Sequence, residues 1–365
     1  MGKLAGLIST NYNNAKFGKL TAHRPIAAIP FGSRYRMIDF PLSNMVNSGI
    51  TQVGLITPHI YRSIMDHLGS GKDFGLSRKN GGLFILPGST YGYDLGKGKF
   101  SIRDCCGNMK FFTKTKFDRL VLSTCSKIYN IDYRDVEKVH VEKDANITFV
   151  YKKDASADEG DCVLDFDERG KVKGIRRLKK KEKKVNLFLD GTIIEKNAMI
   201  KILDWYKDYS YMDVMDAIAE NINRFSIATY EFKGFARAIS SVQDYMEVSK
   251  ELLDENVMRE LFMGDRLIYT KIHDAPPVKY TETAKVKNAL IGTGSIVKGQ
   301  VENSIIFRDA VIEEGAKIKN AVIMQKCHIG KKAEIEDAII EKEVVIDEGE
   351  VHKGTDKKPA IISND

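Results

Sequence analysis

Cysteine is scarce in this chain. Cys105, Cys106, Cys125, Cys162 and Cys327 are the five in 365 residues, and none falls in C-x-x-C spacing. An odd, sparse set of this kind excludes a disulfide framework and a zinc ribbon and suits a reducing compartment. Long apolar runs are also missing, for none approaches the ~18 residues that a bilayer span requires. Within the first 30 residues, Lys3, Asn11, Lys16, Lys19 and Arg24 interrupt the apolar positions, so no signal-peptide core is readable there. A soluble cytoplasmic protein with no membrane partner is expected.

What is present suffices for a large core. Hydrophobic residues make up 43% of the chain and aromatics 9%, which excludes global disorder. At about 150 residues per domain, the length calls for two domains. The 57 basic and 50 acidic residues leave a net charge of +7. So mild an excess suits phosphorylated small molecules and does not demand nucleic acid.

The C-terminal 80 residues repeat with a period of 17. Ile306, Ile323 and Ile340 share that spacing, as do Ile312, Ile329 and Ile346, and Val301, Ile318 and Ile335. The tetrad Asn303-Ser304-Ile305-Ile306 recurs from Asn320 and from Asp337, and an irregular copy begins at Asn288, 15 residues upstream. Three apolar positions per repeat, each opening a short strand, describe a triangular coil whose aliphatic residues stack in ladders: a parallel β-helix. The density of β-branched residues and the non-heptad period argue against a helix. Asn and Asp before the apolar pair suit corners because they tolerate left-handed dihedrals, and Gly292, Gly294, Gly315, Gly330 and Gly349 fit the same need. Some β-helix enzymes use a catalytic His between coils, but His328 is expected to face solvent at a strand start.

The front half alternates short apolar runs with helical patterns. Residues 4–10, 50–57, 117–123 and 146–151 read as strands, and 61–68 and 133–143 as helices. That alternation means a mostly parallel sheet covered on both faces, with ligands at the carboxyl ends of its strands.

Residues 30–50, PFGSRYRMIDFPLSNMVNSGI, are followed by GSGK at 69–72 and GGLFILPG at 81–88. These segments strongly resemble the glucose-1-phosphate adenylyltransferases (ADP-glucose pyrophosphorylases), which join ATP and glucose 1-phosphate into ADP-glucose and release pyrophosphate. The resemblance covers nearly the whole chain. APPVK at 275–279 and the repeat fit it too. It implies an α/β nucleotidyltransferase domain (Rossmann-like, mostly parallel sheet) over 1–245, a helix and linker over 246–285, and a left-handed hexapeptide-type β-helix over 286–365.

The family's chemistry needs backbone N–H groups at phosphates, cations at the transferring phosphoryl group and carboxylates on Mg²⁺. This chain departs from the family pattern at each. The Gly-rich loop is replaced by Ser9, Thr10, Asn11, Tyr12 and Asn13, with no glycine between Leu7 and Gly18. Such a loop reads as a simple surface connection or as a weakened nucleotide site crowded by Tyr12. Ile26 stands at the phosphate lysine, Cys125 at one metal aspartate and Ala238 at the other. Asp132 matches a later acidic position. Cys125 reads as a buried small hydrophobe, since Mg²⁺ takes oxygen ligands. No Lys-Pro marks the sugar-phosphate site near 174–180, where a run from Arg176 to Lys184 holds seven basic residues in nine. A solvated basic loop is expected there. Nucleic-acid contact lacks interleaved aromatics.

Arg24 and Arg36 match family arginines that bind an anionic effector between the domains, and His67 matches a histidine of the same pocket. Forked guanidinium groups suit phosphate, although pairing with acids such as Asp39 would also account for them. The resemblance therefore implies no catalytic residues and no cofactor in this chain, with Mg²⁺ expected only in a catalytic partner. It implies a regulatory, non-catalytic type of subunit in glycogen biosynthesis. The expected assembly is a hetero-tetramer with a catalytic subunit, or a homo-oligomer alone, responding to a phosphorylated effector. An active adenylyltransferase with rearranged ligands and a non-enzymatic sugar-phosphate or nucleotide sensor are the alternatives.

Overall fold

The computed structural model describes residues 2–12, 15–90, 99–209 and 212–364. Leu4–Ser9, Gln52–Thr57 and Arg119–Thr124 are apolar runs buried along almost their whole length, as strands covered on both faces must be. They pair in parallel with Leu4–Ser9 in the middle, and Gly82–Pro87 adds a further parallel strand outside Gln52–Thr57. Leu7 and Leu122 point into the core on one side of this sheet, Ile8 and Val121 into the core on the other. Arg62–Leu68 and Tyr133–Glu142 are helices.

Beyond Arg119–Thr124 the sheet changes direction. The 14-residue strand Glu182–Glu195 runs antiparallel to it and carries Ile147–Ala157 on its other edge. Ile227–Glu231 then pairs in parallel with Ile147–Ala157. The hairpin Cys162–Phe166/Val172–Arg177 completes this side. The architecture is a nucleotidyltransferase-type α/β domain followed by a left-handed β-helix.

The β-helix has three faces and three corners. Val301, Ile318 and Ile335 lie in register on one face, Ile306, Ile323 and Ile340 on the next, and Ile312, Ile329 and Ile346 on the third, each at most 2% exposed. Asn288, Asn303, Asn320 and Asp337 all sit at one corner with φ of 47–50°, a left-handed conformation that Asn and Asp adopt at lower cost than other residues with a side chain. Gly294, Gly315 and Gly349 also have positive φ. Gly292 and Gly330 do not, which corrects their reading as turn formers. A Cβ on Gly330 would lie 2.7 Å from the backbone of Asp347, and one on Gly292 2.5 Å from Arg308 N. Glycine is needed there because successive coils approach too closely for any side chain.

The repeat contains a second ladder. Ile305, Val322 and Ile339, each beside an inward isoleucine, point out of the coil and are still at most 2% exposed. They belong to the same core as Tyr245, Val248 and Leu252 from and beside the helix Val242–Glu251, which packs against Gln300–Ile306. The aliphatic pair in each tetrad thus has one member for the coil and one for the α/β domain. Burying each outward member is worth about 1.5–3 kcal/mol relative to exposure. Lys250, on the same helix, adds ion pairs to Asp337 at 3.2 Å and Asp356 at 2.8 Å across the junction.

Candidate functional site

The loop after Leu4–Ser9 does not lie on the surface. Ser9, Thr10 and Asn11 are at most 2% exposed and Tyr12 is 4% exposed, which corrects the reading of a simple surface connection. Asn13 lies outside the described residues. Thr10 Oγ1 donates to the Ile56 carbonyl at 2.7 Å, and Asn11 Nδ2 donates to the Asp104 carboxylate at 2.6 Å. Tyr12 turns inward, and its hydroxyl accepts the Cys125 backbone N–H at 2.8 Å. Burial, followed by the nearby Cys125 and Asp190, raises the Tyr12 pKa well above its ordinary value, so the phenol stays neutral. An aromatic side chain therefore fills the space between the first-strand loop and the strand end that carries Cys125.

Cys125 and Ala238, the two positions that the family resemblance aligns with metal carboxylates, lie on adjoining segments. Ala236–Ala238 pairs antiparallel with Lys127–Tyr129, with Ala238 opposite Lys127, and Ile239 N–H donates to the Ser126 carbonyl at 2.8 Å. Cys125 and Ala238 are thus brought to one place by adjoining segments. Neither offers oxygen. Cys125 is fully buried, and burial raises its thiol pKa well above the usual value, so it is a protonated hydrophobe rather than a thiolate. Mg²⁺ requires several hard oxygen ligands, and this donor set does not fit it. Ile26 is 2% exposed and sits in the core beneath the same region.

Four charged residues not singled out from the sequence take over the neighbouring space. Lys127 is fully buried and pairs with Asp161, which is 3% exposed. Asp190 pairs with Lys99 and accepts from Thr124 Oγ1 at 2.7 Å and Ser126 Oγ at 3.3 Å. Burial pushes the Asp190 carboxyl up, but Lys99 and then Lys127 pull it down to about 2. Burial likewise opposes the charge on Lys127, yet Asp161 and then Asp190 raise its pKa above the ordinary value. Lys99, Thr124 and Asp190 line a residual cavity of only about 20 Å³, together with Arg177 and Asp213. The sequence signal was a lone charge inside an apolar run, Asp190 in NLFLDGTII and Lys127 in CSKIY.

A second site lies between the domains. Pro30–Phe31 and Tyr35–Arg36 form a small antiparallel hairpin whose turn places Gly32 and Ser33 at φ of 57° and 67°. This turn sets Arg36 opposite Pro30. Arg24 and Arg36 line a cavity of about 410 Å³, joined by Lys19 and His23 from the α/β domain and by Glu341 and Lys342 from the β-helix. Arg24 donates through Nε to the Leu20 carbonyl at 2.9 Å, and its Nη2 pairs with Glu341. Arg36 donates from Nη1 to the Ser63 carbonyl, and among the described residues no carboxylate stands at ion-pair distance from its guanidinium. Burial lowers its pKa to about 10, against Asp39 and reinforced by Arg24 and Arg308. His67 does not line this cavity. It is 5% exposed and its Nε2 lies 2.6 Å from Asp39 Oδ1. The buried carboxylate holds the imidazole, so only the two arginines meet.

The remaining candidates are structural. Asp132 caps the helix Tyr133–Glu142 by accepting Arg134 N–H at 2.9 Å. His328 opens a β-helix strand with its side chain half exposed, 3.5 Å from Glu313. The run from Arg176 to Lys184 bridges the edge strand Val172–Arg177 and the start of Glu182–Glu195. Its arginines pair with neighbouring acids, Arg176 with Glu182 at 3.0 Å and Arg177 with Asp216 at 3.5 Å.

An α/β domain with a parallel sheet core, followed by a left-handed β-helix, is the architecture of the nucleotidyltransferase class. The chain matches the nucleotidyl transferase family over residues 15–255, and the GlmU-like C-terminal hexapeptide family over residues 276–359. It is 31% identical to the glycogen biosynthesis protein GlgD of Bacillus subtilis (strain 168), covering 99% of this chain and 95% of the relative. It is 33% identical to the GlgD protein of Geobacillus stearothermophilus over 87% of this chain and 83% of the relative. Identity to the glucose-1-phosphate adenylyltransferase of Bacillus cytotoxicus is 28%, over 94% and 93%. The chain belongs to the nucleotidyl transferase family, in the branch of the GlgD glycogen biosynthesis proteins and the glucose-1-phosphate adenylyltransferases. Among the described residues, no helix is long and apolar enough to cross a membrane.

Proposed function

We propose that this chain is a regulatory, catalytically impaired subunit of glucose-1-phosphate adenylyltransferase, acting in the cytoplasm beside a catalytic homologue that alone binds Mg²⁺. One observation carries the reading: Tyr12 fills the nucleotide loop and bonds the Cys125 N–H, where the reaction needs open backbone donors and a metal carboxylate. With Ile26 and Ala238 at the other two positions, the groups that would stabilise phosphoryl transfer are missing together. Each such group contributes several kcal/mol to lowering the barrier. The interdomain cavity, with Arg24 and Arg36 on its wall, takes a phosphorylated effector. Binding there bears on how the β-helix and α/β domain sit together, and hence on the partner, in a hetero-tetramer.

The test is an assay of ADP-glucose synthesis by this chain alone, by a catalytic homologue alone and by the two mixed. No synthesis by the lone chain is expected, together with a changed rate or effector response in the mixture. Synthesis by the lone chain near the homologue's rate would overturn the proposal.

A further inference from the structure

The β-helix repeat makes one residue conspicuous. Position 341 continues the column Phe307, Met324, spaced by 17, on the side of the coil that faces the α/β domain. Phe307 is 3% exposed and Met324 fully buried, both in the interdomain core. The next member of an apolar column should be apolar. It is Glu341, only 7% exposed. A buried carboxylate in place of a methionine costs stability unless a cation meets it. The cation is Arg24, whose Nη2 pairs with the carboxylate and also lies 3.9 Å from Met324 Sδ.

Glu341 and Arg24 both line the interdomain cavity. The Glu341 carboxylate therefore occupies the donor face of Arg24 that an incoming phosphate would use. Arg36 across the cavity has no carboxylate at ion-pair distance from its guanidinium among the described residues; burial lowers its pKa to about 10, opposed by Asp39 and reinforced by Arg24 and Arg308. The two arginines thus differ: Arg24 is paired with a carboxylate from within the protein, whereas the Arg36 guanidinium donates only to the Ser63 carbonyl among the described residues.

We infer that Glu341 is a tethered competitor anion and the specificity-determining residue of the interdomain site. This inference rests on the reading of that cavity as an anion site. A ligand with a single phosphate engages Arg36 and leaves the Arg24–Glu341 pair closed. A ligand with two phosphoryl groups can reach Arg24 as well, and to do so it must displace Glu341. That displacement removes an ion pair joining the β-helix to the α/β domain, so ligand charge is converted into a change at the domain junction. Glu341 accordingly sets a threshold: it weakens all anions that need Arg24 and discriminates between mono- and diphosphoryl ligands.

The experiment uses the full chain with inorganic phosphate and pyrophosphate as probes, titrated calorimetrically. The variants are Glu341→Gln, which keeps an acceptor for Arg24, and Glu341→Met, which restores the residue type of the repeat column and guards against failure to fold. Both variants are expected to bind pyrophosphate about tenfold or more tighter than the wild type, with phosphate affinity changed by less than about threefold. Adding Arg24→Gln to Glu341→Gln is expected to abolish the pyrophosphate gain. Equal pyrophosphate affinity in wild type and both variants would overturn the inference while leaving the anion site standing. Failure of wild type and variants to bind either probe at millimolar concentration would overturn the site reading and the inference with it.

Discussion

Ile339 and Ile340 are adjacent in the chain and serve different cores. Ile340 stacks beneath Ile323 inside the coil, and Ile339 points outward into the core shared with the α/β domain. The two substitutions to Asp should therefore fail differently. Ile340→Asp places an unpaired carboxylate inside the coil and is expected to unfold its last turns. Ile339→Asp is expected to leave the coil intact and part the domains. Limited proteolysis checks this: Ile339→Asp should expose the linker between Phe262 and Lys279 while the β-helix survives as a resistant fragment.

The left-handed corner at Asn320 has φ of 50°. Asn320→Ala is expected to cost up to about 1 kcal/mol, because Ala keeps the crowded Cβ but loses the local hydrogen bonding by which Asn offsets it, and Asn320→Gly, which has no Cβ, is expected to cost less. Urea unfolding midpoints of the two variants provide the comparison. Equal losses would show that the left-handed conformation does not set the residue preference at this corner.

The buried pair Lys127–Asp161 is expected to be costly to break and cheap to replace. Asp161→Asn leaves the Lys127 ammonium in the interior without its closest carboxylate, at about 3–5 kcal/mol. The double variant Lys127→Met/Asp161→Leu should recover most of that loss. Chemical denaturation of the two variants and the wild type forms the measurement.

Asp213 gives stability an unusual pH dependence. Burial, then Asp216, raises its carboxyl to about 6, against N–H donors from Phe100 and Met215. An unfolded aspartate titrates near ~3.9, so between these values the native state holds a proton that the unfolded chain has released. The stabilisation from this proton is full below ~3.9 and is lost as the pH rises through about 6. Asp213→Asn is expected to be less stable overall, since one of two backbone donors loses its acceptor, but to lack this decline. Urea midpoints at intervals across that window test it. Asp190, held at about 2, contributes in the opposite sense, stabilising above the unfolded value and failing only in strong acid.

Much of the architecture could be read from the chain. The β-helix was visible because a coil must return an aliphatic residue to the same place every 17 positions, and that constraint is written in Ile306, Ile323 and Ile340. The inner strands were visible because burial on both faces leaves nearly continuous apolar runs, as in Leu4–Ser9. Ile26, Cys125 and Ala238 were readable only as residue types that cannot hold phosphate or Mg²⁺.

Other features were decided only when distant segments met. That His67 is held by Asp39 while Arg24 finds Glu341, 317 positions away, depends on three-dimensional packing that no local pattern encodes. The same holds for Tyr12, which a loop-forming sequence left free to face outward and which packing turned inward onto Cys125. The outward ladder of Ile305, Val322 and Ile339 was present in the repeat, but its purpose was not, because an aliphatic residue declares that it will be buried and not against what. Periodicity and composition determined the fold of each half. Only the meeting of the halves decided which charges would be neutralised from within, and so which arginine, among the described residues, was left facing the cavity with no carboxylate at ion-pair distance.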